Sequence, residues 1–160
     1  MNDGAKLRIC TFCGHNKIYS AYEDVKAALH NRVEVAIKKD YYNYFLIGNY
    51  GSFDRLAAAV CLSAKKDNQH IMVNLVVPYY RPVLDDLEKE WYSRFDSVIV
   101  PELEKTPYPY RIIKANEYMV DCAELVIAYV TTSIGGAAKT LEYAQRKKKV
   151  VINLHDQQEV

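Results

Sequence analysis

Six short apolar runs, separated by stretches of helical spacing, limit this chain's fold more than any other feature. The runs fall at 6–13 (KLRICTFC), 44–47 (YFLI), 71–77 (IMVNLVV), 96–100 (DSVIV), 125–130 (LVIAYV) and 150–154 (VVINL). Between them, 19–39, 55–66, 83–94, 111–123 and 137–147 read as helices. In 19–39 the residues Tyr22, Val25, Ala28, Leu29, Val33, Ala36 and Ile37 share one helical face, and Ser20 with Glu23 makes a capping-box pattern. Trp91 is the main apolar anchor of 83–94, and Ile112, Ala115, Met119 and Val120 form the inward face of 111–123. The segment 101–110 holds three prolines and reads as a loop, and 155–160 reads as a frayed tail. Near-continuous apolar strands alternating with helices predict an α/β three-layer sandwich, with a mainly parallel sheet of five to six strands and helices on both faces. At 160 residues, without repeat or linker, the chain reads as one domain, 1–160.

In such sheets ligands bind beyond the carboxyl ends of the strands, near the switch in strand order. Three strand exits carry unusual residues: Gly14-His15, the GNYGSFD turn at 48–54, and TTSIGGAAKTLEYA at 131–144. Strand, glycine turn and helix together aim free N–H groups and a positive helix end at an anion. Gly135 and Gly136 permit a tight turn and close approach of a ligand, and Lys139, Thr140 and Glu142 lie in the first turns of the helix that follows. Gly48 and Gly51 form the second such turn. Asn49, Ser52 and Thr132 or Ser133 offer small polar groups suited to ribose hydroxyls or phosphate oxygens. Tyr50 and Phe53 can flank a base, although Phe53 points equally well into a core. His15 can reach a phosphate or a base from its strand exit, or serve the fold alone. Asn116 is the ligand-facing choice on 111–123, and Met119 the core one.

Composition narrows the partners. With 21 basic and 20 acidic residues and a net charge of +1, there is no electrostatic case for sequence-independent nucleic-acid binding. The basic run 146–149 (RKKK) ends a helix, where the dipole explains it. No apolar run approaches the ~20 residues of a membrane span, and the first residues lack a secretory signal, so the cytoplasm is the expected location. Cys10 and Cys13 make a CxxC, but neither a second CxxC nor a histidine pair completes a metal site. Redox pairs sit at helix starts and these lie along a strand, so all four cysteines read as packing residues and no metal or cofactor is implied. Tyrosine is over-used, at 14 residues. It suits binding surfaces and subunit contacts, and with the small subunit it points to a homodimer or higher homo-oligomer.

Four segments, CTFCGH (10–15), GNYGSFDRLAAAV (48–60), NEYMVDCAELVIAYV (116–130) and GGAAKTLEYAQRKKKVVINL (135–154), resemble the SLOG superfamily in order and over nearly the whole chain. This Rossmann-like group includes the YpsA-like, Smf/DprA and Lonely Guy proteins, and the resemblance is closest to short YpsA-like proteins. It implies a nucleotide or nucleotide-derived ligand, such as an ADP-ribose-type signal, with phosphate or ribose cradled by the two glycine turns. Lonely Guy hydrolases carry PGGxGTxxE, whose glutamate serves in cleaving a base–ribose bond; Glu142 falls at that offset from Gly135. Here Ile134 replaces the proline, Ala138 the third glycine and Lys139 the threonine, with Thr140 one place later. Relatives often have arginine where this chain has Asn16 and Ala115, positions suited to phosphate. Arg111, Lys114 or Arg55 can substitute.

Two functions follow. In the first, the chain binds a nucleotide without turnover, as a sensor or sequestering protein. In the second, it hydrolyses the base–ribose bond of a nucleoside phosphate, with Glu142 and Asp54 supplying the two carboxyl roles that such chemistry needs. The altered glycine motif and the missing arginines favour binding. A third function, DNA handling as in Smf/DprA proteins, lacks a basic stripe.

Overall fold

The computed structural model describes residues 6–18 and 21–156. Its central strand, β1 (Ile9–Gly14), is followed in chain order by α1 (Tyr22–Lys38), β2 (Tyr44–Ile47), α2 (Ser52–Asp67), β3 (Met72–Val76), α3 (Asp86–Ser93) and β4 (Ser97–Ile99). A single 3₁₀ turn, Tyr108–Tyr110, then leads into α4 (Arg111–Cys122), β5 (Leu125–Tyr129), α5 (Gly136–Arg146) and β6 (Val150–Asn153). The six strands form one parallel sheet in the order β4-β3-β2-β1-β5-β6. The chain runs outward from β1 to β4, then crosses back to β5 on the other side of β1. That reversal between β1 and β5 is the topological switch point.

Right-handed crossovers place the helices after β1, β2 and β3 on one face and those after β4 and β5 on the other. The packing agrees. One large core holds Val25, Leu29 and Val33 of α1, Phe53, Leu56 and Val60 of α2, and Phe95 just past α3. The opposite face buries Val120 of α4 and Ala138 and Ala144 of α5 against Val126 and Ala128 of β5. Each fully buried Leu, Phe or Val in these layers contributes about 1.5–3 kcal/mol through removal from water.

The strand pleat explains the CxxC. Residues three apart in a strand point to opposite faces, so Cys10 packs with the α1–α2 core and Cys13 with the α4–α5 core. All four cysteines are free thiols. Burial pushes Cys13 up to about 12, with the nearby Asp54 adding to it.

Element boundaries differ from the sequence reading where side chains decide them. The proposed Ser20 cap lies outside the described residues. Helix α3 starts at Asp86 because Asp85 caps it: its carboxylate accepts the Glu88 N–H at 2.8 Å, and Glu88 accepts the Asp85 N–H at 3.3 Å. Its deepest anchor is Phe95, buried beyond the helix end, with Trp91 edge-on to it at 5.1 Å. The prolines of 101–110 admit one 3₁₀ turn, built on Pro109.

Candidate functional site

The exits of β1, β2 and β5 are neighbours in the sheet, and a cleft of about 810 Å³ opens there, between them and the outer faces of α4 and α5. Gly14, His15, Tyr50, Asp54, Asn116, Gly135, Gly136, Lys139, Thr140 and Glu142 all line it. An adjoining hollow of about 150 Å³ lies under the β2 and β3 exits and is reached past Gly48 and Asn49. Tyr50, Asp54, Ile112 and Asn116 belong to the walls of both.

Both glycine turns start a helix on a glycine at φ 104, Gly51 for α2 and Gly135 for α5. L-residues avoid that region, so glycine is required at each. Their surroundings are opposite. At α2, the Ser52 N–H donates to the Asn16 carbonyl at 2.8 Å and the Phe53 N–H to the His15 carbonyl at 3.3 Å. A β-carbon on Gly51 would meet the Asn16 Cα at 2.4 Å. The β1 exit therefore fills this helix end. At α5, the first intrahelical bond is Lys139 N–H to the Gly135 carbonyl at 3.1 Å. Among the described residues the N–H groups of Gly136, Ala137 and Ala138 have no partner, and no side chain caps the helix. Open space lies in front of both glycines, with nothing within 4 Å of a β-carbon built on either. Orphan amides of this kind hold a partial positive charge and suit an anion.

Asp54 sits where the cleft and the hollow meet. Its Oδ2 accepts the Tyr50 N–H at 2.9 Å. A methyl group at Gly48 would stand 2.8 Å from that oxygen and 3.3 Å from Met119 Cε, so the glycine makes room for the carboxyl. Burial pushes the Asp54 carboxyl up to about 7, against the lowering effect of the Tyr50 amide. A carboxyl titrating near neutrality can both give and take a proton at working pH. Glu142 is exposed on the opposite wall and makes no hydrogen bond or ion pair among the described residues.

His15 holds the exits together. Its Nε2 accepts the Thr131 N–H at 2.9 Å, with the Thr131 hydroxyl 3.1 Å away. Accepting at Nε2 requires the neutral ring, and burial followed by the charge of His155 holds its pKa below the usual histidine range. The ring also stands edge-on to Tyr129, which stacks on the buried Phe53. Phe53 is thus core rather than a base-stacking wall, and its ring leaves no room for a side chain at Gly14, whose β-carbon would meet it at 2.4 Å.

Other sequence-proposed residues divide clearly. The Thr140 hydroxyl donates back to the Gly136 carbonyl at 3.0 Å, within its own helix. Thr132 donates to the Ile134 carbonyl at 3.0 Å, and Thr132, Ser133 and Ser52 lie off the cleft wall. Arg111 turns away: its Nε donates to the Thr106 carbonyl at 3.2 Å and its guanidinium lies over Tyr108. The structure adds Glu117, Tyr143 and Arg146 to the cleft. Lys139, Tyr143 and Arg146 share one face of α5 through their spacing of four and three, a signal present in the sequence but masked by reading 146–149 as dipole complement alone. Burial, followed by the bond its hydroxyl donates to Asp121 at 2.8 Å, pushes Tyr143 up to about 12. Among the described residues no group of three His, Cys, Asp or Glu side chains is placed to hold a metal ion, and no helix is long and apolar enough to cross a membrane.

No family model matches the chain. It is similar to the "Uncharacterized SPbeta prophage-derived protein YoqJ" of Bacillus subtilis (strain 168), with 29% identity over 129 residues, 71% of this chain and 75% of that protein. It is also similar to the X-ray structure of DNA processing protein A (DprA) from Streptococcus pneumoniae, with a TM-score of 0.58 and 12% identity, over 91% of this chain and 49% of that one. The chain spans about half the length of DprA, and at this identity the likeness is one of fold. The architecture is accordingly a Rossmann-like α/β fold, shared with DprA.

Proposed function

We propose that this chain is a SLOG-type protein that binds a nucleotide or nucleotide-derived ligand in the switch-point cleft, as a sensor or sequestering protein. The observation that carries the reading is the open N-terminus of α5: among the described residues the amides of Gly136, Ala137 and Ala138 have no partner, open space lies at Gly135 and Gly136, and Gly135, Gly136 and Ala137 line a cleft of ligand size. Lys139 and Arg146 add cationic side chains to the same wall. The anionic group belongs at this turn alone, because the matching end of α2 is already occupied by the β1 exit.

A second reading draws on Asp54. A half-buried acid pushed up to about 7 lines the same cleft as the exposed Glu142, and two carboxyl groups are what base–ribose hydrolysis uses.

One experiment separates them. The protein is titrated calorimetrically with AMP, ADP, ADP-ribose and a single-stranded oligonucleotide, and each mixture is then resolved by chromatography. Binding of an intact nucleotide, weakened about tenfold or more in Lys139→Glu by charge reversal beside the phosphate, is the expected result. Free base and ribose phosphate, lost in Glu142→Ala, would establish the hydrolase instead. No nucleotide binding, or binding of the oligonucleotide only, would overturn both readings.

A further inference from the structure

The hollow beside Asp54 joins an apolar floor to a polar rim of Tyr79, Arg81, Glu88 and Tyr92. Its floor is apolar, with Val76, Val77 and Pro78 from the β3 exit on one side and Ala115 and Met119 of α4 on the other. The cation at its rim, Arg81, is already paired with Glu88, so the hollow does not offer a phosphate what α5 offers. At about 150 Å³ it has the size of a cavity that holds one aromatic ring.

Two carboxamides, Asn49 and Asn116, also line this hollow. The orientation of the first is fixed: Trp91 Nε1–H can only donate, and it donates to Asn49 Oδ1 at 3.0 Å. The Asn49 Nδ2 donors are therefore left for another acceptor. The Asn116 side chain makes no hydrogen bond among the described residues, and Asn116 lies in the walls of both hollow and cleft. A hollow with room for one ring and carboxamides in its wall is an arrangement that can read the edge of a planar heterocycle.

We infer that the hollow receives the heteroaromatic ring of the ligand, a nucleobase or its chemical equivalent, while the anionic end lies at the N-terminus of α5. The inference rests on the nucleotide reading above and deepens it. It moves the base away from Phe53 and onto Asn49, Asn116 and the Val77–Met119 floor, with Tyr50 kept in the wall. It also places Asp54, which lines both spaces, beside the link between ring and sugar. Trp91 acts as a positioning residue, setting the Asn49 amide without touching the ring.

The test dissects the ligand into halves. Methyl and amide NMR spectra of the full chain are recorded with adenosine, which lacks phosphate, and separately with ribose 5-phosphate, which lacks a base. Adenosine is expected to shift the Ala115 and Met119 methyl signals, and Ala115→Met, which fills the hollow, to remove that response. Asn116→Ala should weaken adenosine by about fivefold, the worth of one hydrogen bond, and stands in if Ala115→Met does not fold. Trp91→Phe should weaken adenosine and leave the α5 amide shifts with ribose 5-phosphate unchanged. If ribose 5-phosphate moves the 136–139 amides while adenosine leaves the hollow untouched, the ring assignment falls and the nucleotide reading stands. If adenosine enters the hollow and ribose 5-phosphate moves nothing, the ring assignment stands and the anion assignment falls. Silence from both compounds overturns both.

Discussion

The β2–α2 and β5–α5 turns begin their helices on glycines of nearly equal dihedrals, φ 104 and ψ −178 at Gly51 and φ 104 and ψ 177 at Gly135. As local sequence they are two instances of one device. Their difference comes from a third segment. The β1 exit lays the carbonyls of His15 and Asn16 against the first amides of α2, whereas among the described residues nothing bonds to the first amides of α5. A strand–glycine–helix turn is thus not a binding site in itself; it becomes one only where the rest of the fold leaves its amides free. The filled turn makes a rigid wall, and the open one leaves the positive helix end to a ligand.

The sharpest way to break this comparison is to place the same methyl group in both turns. Gly51→Ala combines the unfavourable φ with a clash at 2.4 Å against the Asn16 backbone, and is expected to destabilise the protein by about 3 kcal/mol or more. Gly135→Ala meets the same φ but open space, and should cost only about 1–2 kcal/mol. Urea denaturation of the two variants measures both. Equal losses would mean that the packing difference between the turns carries no energy.

The sequence reading went as far as periodicity and punctuation reach. The inner strands are legible because burial on both faces leaves no polar alternation to confuse them, the half-buried edge strands β4 and β6 because they stay apolar, and all six appear as strands within a few residues. The convergence of Gly14, Gly48–Asp54 and Gly135–Thr140 on one edge follows from parallel strands alone. What was not legible depends on contacts across the chain. That the Ser52 and Phe53 amides are taken up, that Phe53 fills the space over Gly14, and that Arg111 turns to Thr106 are all tertiary facts with no local signature. The hollow needed the β3 exit and α4 to meet, which no spacing announces.

The two turns also differ in charge, because the filled one carries Asp54 into a half-buried position. Burial pushes its folded pKa up to about 7 from the ordinary carboxylate value of 3.8, so the folded state holds the proton more tightly. The stabilising contribution is fully present below pH 3.8 and is lost as the pH rises through 7. Asp54→Asn keeps an oxygen to accept the Tyr50 N–H and carries no charge. It should leave stability unchanged at pH 4 and raise it by about 1–3 kcal/mol at pH 8, a figure reduced for the partial exposure of the group. Thermal melts across that range test the sign. A variant less stable than the parent at pH 8 would show that the carboxylate is stabilised rather than penalised in its site.

The smallest effect concerns the residue that serves both turns. His15 closes the α2 end with its main-chain carbonyl and tethers the α5 turn with its ring, through the Thr131 N–H. His15→Ala leaves the carbonyl in place, so only the open turn should loosen, at about 0.5–1 kcal/mol for one exposed hydrogen bond. Hydrogen exchange should then quicken at Thr131 and in the α5 turn but not at Ser52 or Phe53. The ring's lowered pKa adds a pH signature: its contribution is present above the unfolded value of 6.5 and fades as the pH falls below it, because protonation removes the Nε2 acceptor. The penalty of His15→Ala should therefore be largest above pH 7 and shrink on acidification. Faster exchange at Phe53 would show instead that the imidazole, and not the backbone, keeps the filled turn closed.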